Sequence, residues 1–221
     1  MLQRRLFEDL LQEVNNDYSY LTYYELLSTT EWEDKRQEII KRDAFVCKRC
    51  TKGDTFKKFN EKGVKEYFWV NIPDRVRRYR NTYLENYTLQ EFYILDDRDF
   101  DFIKTDRHSF LHVHHKYYIK GTLPWKYKND CFETLCVHCH YDLHQKEKVP
   151  VYVRTPNGTF EKIDLTPCER CNGAGILPQY DYYMGGICFR CYGAKYEQFI
   201  TDKLKKRSKE VYERMKKQLG E

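Results

Sequence analysis

Three observations predict an α+β fold for this chain. Short stretches with strand-like alternation lie among stretches with helical spacing. Eight of the nine cysteines form four Cys-x-x-Cys pairs, and all seven histidines lie between His108 and His144. Together they indicate a small ββα core held by metal ions, with a folded insertion, a second cysteine unit and a basic C-terminal helix.

Length and composition favour a globular protein. At 221 residues the chain can bury one good core or two small ones, and 33% charged with 41% hydrophobic residues argues against disorder. No apolar run approaches the ~18 residues of a membrane span. The N-terminus turns acidic at Glu8, too early for a secretory signal. We therefore expect a cytoplasmic protein without a membrane partner.

Five segments follow one another along the chain. They are 1–50 with helices and a first cysteine knuckle, 51–107 as an aromatic and basic insertion, 108–150 as the ββα core, 151–194 as the second cysteine unit, and 195–221 as the basic helix. Helices are expected at 2–14 and 31–42, the second with Thr30 as N-cap and Glu33 completing a capping box.

The insertion is expected to fold because it contains few Gly, Pro or Ser residues. A helix is predicted between Val76 and Tyr87, and strands at 66–72 and 91–95.

The core segment alternates like a strand at 110–119, returns as a second strand at 131–135, and continues as a helix at 137–148 that Pro150 stops. Residues 151–166 are expected to be a connector with an Asn157-Gly158 turn, and 196–219 the terminal helix.

Two cysteine tetrads are predicted to bind structural zinc. Four thiolates around one zinc ion make a closed structural site, so the pairs combine two by two. The first tetrad is Cys47, Cys50, Cys136 and Cys139; the second is Cys168, Cys171, Cys188 and Cys191. A disulfide framework is the alternative, disfavoured because no export signal is present.

The histidines suggest a further, open metal site. His140 and His144 stand at i and i+4, so on a helix both face one way. With His114 they can hold a divalent cation, which leaves the adjacent His115 free as a general base.

These motifs resemble the HNH endonucleases. The resemblance rests on Tyr20 to Cys50, on Leu111-x-Val113-His114-His115, and on Leu135-Cys136-x-x-Cys139-His140-x-x-x-His144. It implies metal-dependent hydrolysis of DNA phosphodiester bonds, with Mg²⁺, Mn²⁺, Zn²⁺ or Ni²⁺ as the catalytic cation, in the cytoplasm or in that of a host.

The resemblance also assigns roles to single residues. His114, His140 and His144 match the metal ligands, and His115 the base; His115, His114 and His140 form the implied catalytic set. The position of the family's middle Asn is taken by Cys131, and Asn129 is a possible substitute.

The second cysteine unit resembles the Cys-x-x-Cys-x-Gly-x-Gly modules of DnaJ-type chaperones, except that Lys195 replaces the last glycine. Such a unit can contact nucleic acid or a protein partner, or simply stabilise the fold.

Positive charge is mild and uneven. The net charge is +5, and residues 195–221 hold nine Lys and Arg against five Asp and Glu. Two clusters are candidates for contacts with DNA phosphates, with a solvated helix face as the alternative. They are Arg75, Arg77, Arg78 and Arg80, and Lys203, Lys205, Lys206 and Arg207.

The remaining residues of the histidine region are expected to be structural. His112 shares a strand face with His114 and is assigned a structural or supporting role. His138 is expected to point to solvent, His108 to be a surface or loop residue, and Cys131 to be a small buried residue. Two other functions stay open: a non-catalytic zinc-stabilised nucleic-acid-binding protein, and a chaperone-like adaptor.

Overall fold

The predicted mixture of helices and small sheets is confirmed in a computed structural model, which describes residues 4–71, 101–105, 108–180, 183 and 186–219. The insertion helix predicted between Val76 and Tyr87, the strand at 91–95 and the four arginines from Arg75 to Arg80 lie outside these residues. The division into five segments stays a prediction.

Three helices open the chain: α1 (Phe7–Glu13), α2 (Tyr23–Leu27) and α3 (Thr30–Arg42). Helix α3 is capped by Thr29, whose hydroxyl accepts from the Trp32 amide at 3.2 Å, so the predicted cap at Thr30 is wrong by one residue. The capping box belongs to α2 instead, where Thr22 and Glu25 bond reciprocally.

An antiparallel sheet follows, with β1 (Thr55–Phe59), β2 (Lys65–Asn71) and β3 (Asp101–Thr105). Strand β2 confirms the strand predicted at 66–72 to within one residue. The other two strands were not predicted, because their charged residues hide the strand pattern.

The histidine region folds as two strands and a helix. Strand β4 (Leu111–His115) is shorter than predicted. The Lys116 amide makes one further bond in register with β6, to the Cys131 carbonyl at 2.8 Å, and the Tyr118 amide then turns to the Pro150 carbonyl at 2.9 Å, where β5 (Tyr118–Ile119) begins. Strand β6 (Phe132–Cys136) pairs antiparallel with β4 and runs into α4 (Val137–Lys146). Cys131 lies in a short 3-10 turn before β6.

A third sheet replaces the predicted connector. Strand β7 (Val151–Arg154) pairs parallel with β5 and antiparallel with β8 (Phe160–Ile163). Gly158, at φ +81°, lies in the turn between β7 and β8, and its backbone requires a residue that tolerates positive φ. The Asn157-Gly158 turn signal was therefore correct, but it joins two strands.

The chain ends with α5 (Asp202–Leu219), which begins six residues later than predicted because Glu197–Phe199 form a separate 3-10 turn. Residues of α5 return to the N-terminal helices: Arg207 and Arg214 both bond the carboxylate of Glu25, which is 1% exposed.

The main core lies between α3, the β4–β6 pair and α4. Its largest fully buried side chains include Ile39, Leu111, Phe132 and Leu135. No helix in the described part of the chain is long and apolar enough to cross a membrane.

Candidate metal centre

The first tetrad brings together two distant parts of the chain. Ligand atoms of Cys47, Cys50, Cys136 and Cys139 lie within 4.8 Å of one another. The Sγ atoms of Cys50 and Cys136 are 3.8 Å apart. A tetrahedral zinc ion with bonds of ~2.3 Å places its sulfurs about 3.8 Å apart. All nine cysteines are free, and the geometry of the tetrad is compatible with zinc.

Backbone hydrogen bonds hold this tetrad in place. The Lys48 amide donates to the Thr134 carbonyl at 2.8 Å and so fastens the first knuckle to β6. Cys136 caps α4, its sulfur accepting from the Cys139 amide at 3.4 Å. The tetrad therefore joins the end of α3 to the start of α4.

The second tetrad is local. Its members are Cys168, Cys171, Cys188 and Cys191, all fully buried, with Sγ distances of 4.0 and 3.7 Å across the two pairs. These distances again match a tetrahedral sulfur site. The structure is thus compatible with two structural zinc ions.

Within the second cysteine unit, Lys195 follows Cys188 by seven residues, as Gly175 follows Cys168. The Cys188 amide donates to the Gly175 carbonyl at 3.0 Å, and the Cys168 amide to the Lys195 carbonyl at 2.8 Å. Both residues have positive φ, of +76° and +70°. A Cβ on Gly175 would meet Lys195 Cγ at 3.2 Å, so the first position needs glycine.

The Lys195 side chain is buried and carries its amine to β5 and α2. The amine bonds the Tyr118 hydroxyl and lies 4.6 Å from the ring centre of Tyr23. Burial lowers the pKa of Lys195 to about 7. Nothing in the sequence except the missing glycine marks this residue.

A third group, of three buried histidines, also fits a metal ion. His114 projects from β4, His140 and His144 from α4, and their ligand atoms lie within 4.8 Å of one another. The Nε2 atoms of His140 and His144 are 3.3 Å apart, about the separation expected for two nitrogens at ~2.0–2.1 Å from one tetrahedral zinc. The Nδ1 atom of His114 is buried without a hydrogen-bond partner among the described residues. An orphaned ring nitrogen beside two others suits a metal ligand.

The electrostatics favour the neutral, metal-binding form of these rings. Burial, followed by the nearby His144, lowers the pKa of His114 to about 2, and burial lowers that of His144 to about 3. Burial also lowers the pKa of His140. At neutral pH each ring therefore has a lone pair to offer.

His112 supports the triad. Its Nδ1 lies 3.3 Å from Nδ1 of His140, so one of the two nitrogens donates to the other. If His140 uses Nε2 for a metal, its Nδ1 carries the proton and His112 accepts it. The supporting role expected for His112 agrees with this contact.

His115 points to the other face of β4 and lies outside the triad. Its ring stacks on Trp32 at 5.4 Å and meets Phe132 at 4.7 Å. Its Nε2 donates to the Pro124 carbonyl at 2.9 Å. Because a carbonyl only accepts, Nε2 carries the proton and Nδ1 has the lone pair of the neutral ring. Burial lowers the pKa of His115 to about 3, so the ring is neutral at pH 7.

Neither candidate for the middle residue is directed at His115. The Asn129 amide is used on α3, accepting from Lys35 at 2.9 Å and donating to Glu38 at 2.5 Å. The Cys131 thiol is buried, as expected, and contacts the Tyr117 carbonyl at 3.6 Å. The Pro124 carbonyl is the group that contacts the base candidate, and a backbone carbonyl leaves no sequence signal.

His138, expected to point to solvent, and His108, expected to be a surface or loop residue, are both half-buried. His138 Nε2 donates to the His108 carbonyl at 3.0 Å, and the His108 ring stacks on Tyr67. His138 is therefore less exposed than expected, whereas His108 lies in the loop before β4.

Of the two basic clusters, the one on α5 lies in the described residues, and most of its side chains already have partners within the protein. Lys203 lies 3.0 Å from the ring centre of Tyr20, Lys205 pairs with Asp202, and Arg207 is held by Glu13 and Glu25. Lys206 is exposed. The prediction of phosphate contacts therefore rests more on the lysines than on Arg207.

Comparison of the chain with protein-family models, with curated proteins and with solved structures gives no match. The function must be argued from the chemistry of the three groups.

Proposed function

We propose that this protein is a metal-dependent endonuclease of the HNH type, which hydrolyses phosphodiester bonds of DNA. The observation that carries the proposal is the pairing of two features on one short strand. His114 points to two further neutral imidazoles, while the next residue, His115, is held singly in a fixed orientation. One imidazole to hold a cation and one to move a proton are what phosphodiester hydrolysis needs.

His114, His140 and His144 would hold the cation. When bound, it would screen the charge that develops on the scissile phosphate and the leaving oxygen. The helix start at Cys136 fixes two of these ligands, and the β4–β6 pairing fixes the third.

His115 is the proposed general base. Its ring is 2% exposed and lies on the face of β4 opposite His114, so the packing around it would have to open before the Nδ1 lone pair takes a proton from the water whose oxygen forms the new bond to phosphorus. The Pro124 carbonyl and the stacked Trp32 hold the ring in one orientation, and Nε2–H continues to donate to Pro124 after protonation. An anionic phosphate alongside raises the proton affinity of a buried imidazole.

The two tetrads, with zinc bound, would provide the rigid support. The first fixes the β6–α4 junction next to His140, and the second packs on α4, where Asn172 donates to the His144 carbonyl at 2.5 Å. DNA is the proposed partner, bound through phosphate contacts of the lysines on α5 and of the arginines in the insertion.

The test is cleavage of supercoiled plasmid by purified protein with Mg²⁺, Mn²⁺, Zn²⁺ or Ni²⁺. We expect His115→Ala to keep metal and DNA binding and to lose cleavage by roughly 10²–10⁴-fold, the usual worth of a positioned base. His114→Ala should weaken metal binding, and added metal should restore part of its activity. His138→Ala is the control, because His138 lies on α4 with His140 and His144 but belongs to none of the three groups, and its Nε2 donates to the His108 carbonyl.

Full activity of His115→Ala would refute the base assignment. A wild-type protein that binds DNA but is inert with every ion would favour the second candidate, a non-catalytic nucleic-acid-binding protein. The hydrogen bonds of Asn129 to Lys35 and Glu38 on α3 favour this second candidate, because they leave the Asn129 amide turned away from His115. The chaperone-like adaptor and the cytoplasmic location remain predictions.

A further inference from the structure

A cleft of about 220 Å³ lies between α2, α5 and the second cysteine unit, away from the histidines. We define the aromatic pocket by six of its lining residues: Tyr24, Phe189, Tyr192, Ser208, Lys209 and Tyr212. Its volume is below the ~300–1,000 Å³ of pockets for drug-sized ligands and suits one planar ring system.

One polar group in this pocket lacks a partner. Ser208 is 8% exposed, and its Oγ has no hydrogen-bond partner among the described residues. Leaving a buried hydroxyl unpaired costs about 1–3 kcal/mol. A ligand with a polar edge would satisfy it.

Cations surround the aromatic rings. The Arg170 guanidinium lies 3.8 Å from the ring centre of Phe189, and Lys216 Nζ lies 4.7 Å from that of Tyr212. Lys209 is exposed on the wall. Glu210, on the same helix, pairs with Arg207 and does not line the pocket. Three cations thus lie at or beside the pocket, against one exposed carboxylate, Glu213, next to Tyr212.

We propose that the aromatic pocket binds a nucleobase of a single-stranded or locally unpaired nucleic acid. The aromatic walls supply faces for stacking, the Ser208 hydroxyl meets the polar edge of the base, and the cations follow the phosphates on either side. An aromatic side chain of a protein partner would fill the walls but would use neither the cations nor, if it were Phe, the hydroxyl. The inference rests on the nucleic-acid part of the proposed function and is independent of cleavage.

The chain offers a matched pair of variants for the test. Phe189 and Phe160 are 45% and 49% exposed, and each lies beneath an arginine, Arg170 or Arg154. Only Phe189 belongs to the pocket. We expect Phe189→Ala to weaken binding of a fluorescent oligothymidylate, without added divalent cation, by about 5- to 100-fold, and Phe160→Ala to leave it unchanged.

An oligonucleotide with abasic sugars isolates the base. On this backbone wild type and Phe189→Ala should bind equally. The proposal would be overturned if Phe189→Ala bound the intact oligonucleotide as tightly as Phe160→Ala does. It would also be overturned if Phe189→Ala lost as much affinity for the abasic oligonucleotide as for the intact one. Displacement of the oligonucleotide by an aromatic peptide but not by a nucleoside monophosphate would also overturn it and assign the pocket to a protein.

Ser208→Ala separates binding from folding. Since the hydroxyl is unpaired in the free protein, its removal should leave Tm unchanged or raise it, while weakening base binding by about 2- to 10-fold. A fall in Tm, or unchanged affinity, would contradict the role of the hydroxyl. Plasmid cleavage is scored separately. If the wild-type protein nicks plasmid but Phe189→Ala binds the oligonucleotide normally, only the pocket proposal is overturned. If Phe189→Ala weakens oligonucleotide binding but the wild-type protein nicks no plasmid, only the nuclease proposal is overturned.

Discussion

The two cysteine tetrads have the same ligand chemistry but opposite chain geometries. In the first, Cys50 and Cys136 are 86 residues apart, and two of its four cysteines are only half-buried. In the second, Cys168 and Cys188 are 20 residues apart, and all four cysteines are fully buried. The first fastens distant segments to each other, whereas the second makes a short segment rigid.

Loop-closure entropy gives this difference a magnitude. Constraining a loop stabilises a fold by an amount that grows as (3/2)RT ln n. For separations of 86 and 20 residues, the difference is about 1.3 kcal/mol in favour of the first tetrad. Position adds to this, because the first tetrad includes the N-cap of the helix that carries His140 and His144.

The largest effect is expected from breaking one tetrad at a time. Cys136→Ala should reduce the zinc content from about two ions to about one and abolish both metal binding by the triad and plasmid cleavage. Cys188→Ala should also remove one zinc, but should cost about 1 kcal/mol less in unfolding free energy and keep residual metal binding. Elemental analysis, denaturant unfolding and cleavage measure these outcomes.

Cys131→Ala is the control, since this buried cysteine belongs to neither tetrad. It should keep both zinc ions. Equal losses for Cys136→Ala and Cys188→Ala would show that the span of the loop does not matter.

A second prediction asks what holds the C-terminal region if its tetrad is only local. Arg207 and Arg214 bond Glu25 at 2.7 and 2.8 Å, and Glu25 also accepts from the Thr22 amide. Glu25→Ala leaves two partly buried guanidinium groups without this partner and should cost about 3 kcal/mol, the low end for a broken buried pair.

Glu13→Ala is the matched comparison, because Glu13 pairs with the same two arginines but is 35% exposed on its side chain. It should cost at most about 1 kcal/mol. Urea unfolding of both variants measures the two losses in unfolding free energy. Similar losses would show that Glu25 does not hold α5 in place.

The smallest effect is expected at Asp43, which lies between the end of α3 and Cys47 of the first tetrad. Asp43 is buried, accepts from the Thr134 amide at 2.8 Å and pairs with Arg42. Burial alone would raise its pKa, but the Arg42 guanidinium and the Thr134 amide outweigh burial and hold the pKa below the usual 3.8. The folded state therefore binds the proton more weakly than the unfolded chain. Its stabilisation is present above about pH 4 and is lost as the pH falls through the folded value.

Asp43→Asn should accordingly cost about 1–2 kcal/mol in unfolding free energy, constant from about pH 8 to about pH 5 and shrinking below about pH 4. Both proteins contain both tetrads, so release of metal in acid affects them alike. A deficit that grows as the pH falls would contradict the assigned direction.

The building blocks of the metal-binding groups were predictable because their information is local. Cysteines three positions apart and histidines at i and i+4 impose geometry within a single turn. The combination of the distant pairs Cys47/Cys50 and Cys136/Cys139 followed instead from the four ligands that a structural zinc needs.

Features decided by distant contacts were missed. The Thr30 amide is taken by the Arg5 carbonyl at 3.0 Å, which leaves Thr29 as the cap of α3. The alternating pattern continues past His115, yet the chain changes sheets there because Tyr118 bonds the Pro150 carbonyl at 2.9 Å. Neither partner is close in sequence, and propensity cannot anticipate them.

The ion pair between Glu25 and Arg207 also has a consequence for biosynthesis. The two residues are 182 positions apart, so at ~5–20 residues per second the carboxylate leaves the ribosome about 10–40 s before its guanidinium partner. Burying that carboxylate in the meantime is unfavourable, because a charge without its counter-charge resists leaving water. The junction between the first helices and the last can therefore close only after synthesis is nearly complete, and a nascent chain must wait with its N-terminal helices unfinished.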